Sequence, residues 1–330
     1  MKSPKLRAWA ALAAALALAS PAAAQTSAAP TQAPVDQAGL PQDPDEVLVE
    51  ELVVVGRLPG PAWWRVSDAD TTVYVLGVPS VATKQLAWDR SVLERRLKGA
   101  NEVIVSVDPV RVRALGAAGA ALNYLKLRSR TPFEAQLSGE TRARFIAARE
   151  RFGKPADRYK TGNALAAGLM LIEDWLDHVR LTTTDPSKPI RQLARSKRIR
   201  VTEKTYDAGS LLGALTRTAA TAGRACLEAV LDQIDAGPGR IQAASRAWAH
   251  GDVPGALSAE RVYERCLAAA PGAARLDARY KTDQAEAIAK ALQRPGHAVA
   301  VIQLRPLLSQ GGVLDRLRSQ GFEVKTPGEE

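Results

Sequence analysis

The chain has 330 residues, 46% of them hydrophobic, and a formal net charge of +10. Setting aside the first 45 or so residues leaves roughly 280, enough for one large α/β unit or two modest ones and far too few for a receptor barrel of about 22 strands. The basic balance favours anionic partners such as envelope lipids, polysaccharide or nucleic acid.

Lys2, Lys5 and Arg7 precede an uncharged run from Ala8 to Ala19, and Ala22-Ala23-Ala24 supplies the small residues that a leader peptidase needs. Residues 1–24 are therefore expected to be a signal peptide cut after Ala24, which places the mature chain in the periplasm or outside the cell. About a dozen apolar residues cannot span a bilayer core that needs about 20, and no transmembrane segment is expected after cleavage. Residues 25–46 are rich in Pro, Ala and acids and read as a disordered linker. Residues 47–330 then form a single domain. Asp36, Asp43, Asp45, Glu46 and Glu50 lie in residues 25–50 with no cation among them, and three cations lie before residue 25, so residue 51 onward carries +12.

The domain opens on "VLVEELVVVGR" at residues 47–57, which has the composition of a buried strand. Trp63 to Val66 and Val73 to Leu76 flank Ser67-Asp68-Ala69-Asp70, a hairpin signal, and the second strand is expected to run into a glycine turn at Gly77. Trp88, Val92, Leu93 and Leu97 fall at helical spacing, and "NEVIVSVD" returns as a strand. From about 110 to 275 six Ala- and Leu-rich amphipathic segments read as a helical insert; in it Thr131-Pro132-Phe133-Glu134 has the form of a capping box. One short strand, "RIRVTEKT" at 198–205, interrupts the helices and is able to join the sheet. The cations Arg191, Arg195, Lys197, Arg198 and Arg200 carry no interleaved aromatics to stack bases, which disfavours nucleic acid and makes this run a solvated helix end.

Cys226 and Cys266 each sit in a helical pattern in a chain bound for an oxidising compartment, and are expected to pair; two separate buried thiols are the alternative. The last segment repeats the first: strand Ala298 to Ile302, a loop, Gly311-Gly312, helix Val313 to Ser319, Gly321 as stop, strand Phe322 to Lys325. The fold class is α/β (α+β), two strand-loop-helix-strand units forming one sheet and flanking a large all-helical insert. The loops after Leu76 and after Ile302 then open on the same side, where such sheets place their chemistry.

"PAWWRVSDADTTVYVLGVPSV", "RAWAHGD", "DARYKTDQAEAIAKAL" and "VLDRLRSQGFEV", in that order over about 61–326, resemble the TraB/GumN family, whose relatives include Tiki-type metal-dependent proteases. The resemblance implies two Gly-x-x-His motifs, one after the first strand of each unit, and a Glu at the end of the second strand. Two imidazoles and a carboxylate converging on a sheet edge hold a divalent ion and leave room for the water it activates. Here the first motif reads Gly77-Val78-Pro79-Ser80, the second falls on Gln303-Leu304-Arg305-Pro306, and the Glu position is Ser106. Hydroxyls bind such ions poorly and proline has no side-chain donor, while Arg305 adds a cation, so no metal or other cofactor is expected.

Nothing in the sequence rebuilds the site. His178, His250 and His297 occupy no motif position, Asp108 reads as a strand-end turn residue, and no base is nominated for Ser80. Glu203 matches a family Glu after the middle strand, and Arg279 the Arg of an Arg-Asn pair whose Asn is Tyr280 here. Lys84, Glu203, Arg279, Lys281 and Arg305 are binding candidates if the four cations converge as an anion pocket; a structural Arg279–Glu203 pair is the competing reading. The expectation is an exported, catalytically degenerate protein that binds an anionic envelope ligand or a partner protein. The alternative is a hydrolase or peptidase rebuilt on Ser80, Ser106, Asp108 or Glu203.

Overall fold

The computed structural model describes residues 60–105, 110–111, 117–184, 186–204 and 206–329. The expected leader, linker and first strand lie outside the described residues, as do Ser106 and Asp108.

Asp68 builds the first turn. Its Oδ1 accepts from the backbone N–H of Thr71 at 2.9 Å and of Asp70 at 3.3 Å, the local bonding that makes Asp a turn former. The turn joins β1 (Trp63–Ser67) to β2 (Thr71–Val78) as an antiparallel hairpin with Val66 opposite Val73. β2 does not end at Leu76 as expected but continues through Gly77 to Val78. The chain passes β3 (Ala82–Thr83) and α1 (Ser91–Leu97) and returns as β4 (Glu102–Val105), completing the strand-loop-helix-strand unit.

The middle of the chain is mostly helical, with short strands that pin it to its surroundings. It runs β5 (Val110–Arg111), α2 (Ala117–Leu127), α3 (Gly139–Arg151), α4 (Ala164–His178), β6 (Leu181–Thr182), α5 (Ser187–Ser196), β7 (Arg200–Glu203), β8 (Tyr206–Asp207), α6 (Ala208–Thr216), α7 (Ala220–Ala236), α8 (Gly239–Ala249), α9 (Val253–Leu257), α10 (Val262–Ala268) and α11 (Ala273–Leu292). The insert is thus not all helical: besides β7, β6 pairs with β3 and β8 with β5.

Two local readings change. Thr131 does not cap a helix, because its hydroxyl bonds Ser129 and the Glu134 carboxylate takes Arg149 Nε at 2.8 Å; Phe133–Gln136 is a single 3-10 turn. The Ala- and Leu-rich segment "SLLGALTRTAATAGRACLEAVLDQI" is two helices, broken between α6 and α7. There Thr216 and Thr218 donate their hydroxyls back to Gly213 and Ala214, a competition with the helical ladder that ends it.

The last unit is β9 (Gly296–Gln303), α12 (Leu304–Leu308), α13 (Val313–Ser319) and β10 (Glu323–Lys325). One six-stranded sheet results, in the order β10-β1-β2-β9-β4-β7, parallel from β2 through β9 and β4 to β7 and antiparallel at β1 and β10. β9, in the middle, is buried from Ala298 to Ile302, the near-continuous apolar run that a strand covered on both faces requires. Its core takes side chains from α1, α5, α8, α9, α11, α12 and α13. A second core, around Phe145, Tyr159, Leu171, Trp175 and Val230, belongs to the insert. There the Cys226–Cys266 disulfide joins α7 to α10. No helix among the described residues is long and apolar enough to cross a membrane.

Candidate functional site

The register of β2 and β9 sets Val78 beside Gln303, so Pro79-Ser80-Val81 and Leu304-Arg305-Pro306 leave neighbouring parallel strands at the same carboxyl edge. Both line one cavity of about 40 Å³, whose far wall is the end of α9 and the start of α10. On the same measure a water needs about 10–15 Å³, so the space takes a group the size of a carboxylate.

Three side chains dominate it. Ser80 Oγ donates to Glu264 Oε1, and Arg305 Nη2 donates to the backbone carbonyl of Leu257. The third, Arg261, stands just before α10, and burial pulls its guanidinium down to about 10; Glu264 opposes that shift while Arg305 and Arg265 add to it. Two guanidiniums thus share a small, partly dry space with two carboxylates, Glu264, which accepts from Ser80, and Glu260, which takes Arg240 at 2.6 Å. Sequence reasoning missed Arg261 and Glu264. Glu264 lies 184 residues from Ser80, and its one local signal was a position two residues before a cysteine in a helical pattern.

The expected binding residues do not all converge. Arg305 lines the cavity. Lys281, buried on α11, pairs at 2.9 Å with Asp277, a carboxylate that also acts on Arg261. Lys84 is turned away to Asp177, whose carboxyl it holds below the usual range by hydrogen bonding. Glu203, at the end of β7, takes Arg195 at 3.1 Å and Arg191 at 3.5 Å. Arg279 is exposed and lies 3.8 Å from Asp283, one turn along its own helix. The Arg279–Glu203 pair of the competing reading does not form either: α5 supplies the cations that meet Glu203. Arg191 and Arg195 are likewise not part of a merely solvated end.

Gly77 is a strand residue whose carbonyl accepts from Trp248 Nε1 at 2.6 Å. The histidines stand elsewhere: His178 packs its ring against Phe152, His250 Nδ1 meets the Arg246 carbonyl, and His297 Nε2 meets the Arg96 carbonyl at the other end of β9.

A family model for the TraB/PrgY/GumN family matches residues 62–326. The chain belongs to that family. No curated protein and no solved structure matches it. The match runs from the first strand to the end of β10, so the TraB/PrgY/GumN unit includes the sheet, the insert and the cavity between them.

The residues at the cavity do not fit the divalent ion that the TraB/GumN resemblance implies. Ser80 offers a hydroxyl already committed to Glu264, Pro306 offers no donor, and Arg261 and Arg305 bring positive charge to the place a cation would occupy. No cluster of three or more His, Cys, Asp or Glu side chains suited to a metal occurs among the described residues.

Proposed function

We propose that the chain is an exported, binding member of the TraB/PrgY/GumN family, in which the cavity at the ends of β2 and β9 takes the anionic terminus of an envelope ligand in place of a metal ion. The observation that carries this reading is Arg261 and Arg305 together beside the Ser80 hydroxyl in a space the size of a carboxylate. Both guanidiniums are partly buried, which is costly unless negative charge offsets it. Glu264 and Asp277 act on Arg261, and Glu260 also lines the cavity; a ligand carboxylate, matched to the fork of an Arg, adds to these. The rest of the ligand lies outside the cavity. Export is supported by the cationic and then apolar first 24 residues and by the disulfide, which an oxidising compartment preserves.

Calorimetric titration with short peptides bearing a free or an amidated carboxyl terminus tests this. The free acids are expected to bind, and Arg305→Met or Arg261→Met to weaken them about 10- to 100-fold, the equivalent of a charge-assisted hydrogen bond of about 1.5–3 kcal/mol. Equal affinity for acids and amides, or unchanged affinity in both variants, sinks the reading. Near-stoichiometric zinc or manganese in protein purified without chelator does the same. A second reading, hydrolysis at Ser80, has one observation in its favour: Glu264 gives the hydroxyl an acceptor for its proton. Labelling of Ser80 by a fluorophosphonate, lost in Glu264→Gln, puts that reading first.

A further inference from the structure

A second concentration of charge lies at the opposite edge of the sheet, where β4 and β7 begin. α1 and the residues after it, with the residues Lys197 to Arg200 that follow α5, bound a shallow groove of about 940 Å³. Arg95, Lys98, Lys197, Arg198 and Arg200 line it, all exposed, against a single acid, Glu94. None of the five forms an ion pair among the described residues, in contrast to Arg191 and Arg195 a turn or two earlier, which meet Glu203.

Cations gather at helix carboxyl ends for a general reason, since each such end carries about half a negative charge. Two helix ends offset about one of the four net positive charges of the lining, and Asp89 acts on Arg95 from outside it, which leaves about two in excess. The backbone fixes where one of these cations sits. Arg198 follows α5 with φ 59°, a left-handed conformation that glycine adopts freely and an arginine adopts at a cost of about 1–2 kcal/mol. The corresponding position after α1 is Gly99, with φ 78°. Arg180 has the same conformation after α4, with φ 57°, so this is a recurring helix end in the chain, here one that sets Arg198 in the lining of the groove.

The lining contains no aromatic ring on which a base or a sugar stacks, so a ligand is recognised by its charges. Guanidinium forks and lysine ammoniums crowded within one groove match several phosphates at close spacing. We infer that this groove binds a ligand bearing closely spaced phosphate groups, either a free polyphosphate chain or a multiply phosphorylated headgroup at a membrane surface. The inference is independent of the reading of the carboxyl-edge cavity, from which the length of the sheet separates it.

The test is titration of the whole chain with sodium tripolyphosphate at low salt, beside flotation with neutral phosphatidylcholine vesicles that contain or lack a diphosphorylated lipid. Tripolyphosphate is expected to bind, with an affinity that falls steeply as salt is added. Arg198→Gly with Arg200→Gln is expected to reduce affinity at least 10-fold while leaving the thermal midpoint unchanged or raised, because glycine relieves the backbone. Arg224→Gln with Arg246→Gln, the same loss of charge at exposed positions elsewhere, is expected to leave binding within 2-fold. Flotation only with the phosphorylated lipid, competed by tripolyphosphate, assigns the headgroup; tripolyphosphate binding without flotation assigns the free chain. Absence of binding by either probe, or equal weakening in the two double variants, overturns the inference.

Discussion

Gly77 has no side chain because there is no room for one. A β-carbon built there lies 2.5 Å from Leu304 Cδ2 and 3.0 Å from Trp64 Cζ3, both in the sheet core. Its backbone is ordinary strand, so close packing and not a turn requires the glycine. Gly77→Ala is expected to destabilise the chain by about 1–3 kcal/mol in urea unfolding. Adding Leu304→Ala is expected to cost less than the two single changes together, a coupling that a double-mutant cycle reads directly; strict additivity counts against the clash. The sequence marks Gly77 as special but gives the wrong reason, because a glycine after an apolar run reads as a turn until Trp64 and Leu304 are placed against it. Ser80 behaves alike. Its residue type already argued against a metal, yet its acceptor, Glu264, becomes visible only when α10 is brought to the strand end.

α10 carries the far side of the cavity, and its position depends on a covalent tie. It is seven residues long, too short to hold itself in water, and Cys266 fastens it to α7 two residues beyond Glu264. Replacing both cysteines by serine is expected to lower stability by about 4 kcal/mol on loop entropy, across a separation of 40 residues. The same variant is expected to weaken peptide binding at temperatures where the chain is still folded, since the Ser80–Glu264 contact loosens with α10. Urea titrations and calorimetry on the oxidised and the serine forms check both effects; full retention of affinity removes the disulfide from the site's support. At this scale the helices of the insert are legible from their Ala and Leu spacing. Their ends are less so: hydroxyl back-bonding separates α6 from α7, and an ion pair to Arg149 unmakes the capping box at Thr131.

Across the whole molecule the sheet separates two kinds of charge. Its carboxyl edge holds a small cavity where cations and acids interlock, and its amino edge holds an open groove where cations predominate. The hairpin and β10 close the sheet's other side: β10 pairs with β1 through Arg65, Val66 and Ser67, and the Ser67 hydroxyl donates to Glu323 at 3.1 Å. Deleting residues 321–330 bares the outer edge of β1 beside two buried tryptophans. That edge is a template for pairing with another chain, so the truncated protein is expected to aggregate. Light scattering and the soluble fraction after expression report it; a soluble monomer of normal stability shows that β10 is dispensable.

The sequence alone determined the family, the two strand-loop-helix-strand units, and that Ser80 and Pro306 are not imidazoles, because these are properties of residue order and residue type. It also identified the cysteines that pair, since only two exist. What depended on tertiary structure was which charges meet. Arg305 was foreseen, but Arg261 and Glu264 reach it from another part of the chain. Arg279 and Lys84, foreseen beside it, are held by Asp283 and Asp177. A coulombic partner is chosen by distance in space, and with Ser80 and Glu264 184 residues apart, that distance is fixed only when the sheet, the insert and the disulfide are all in place.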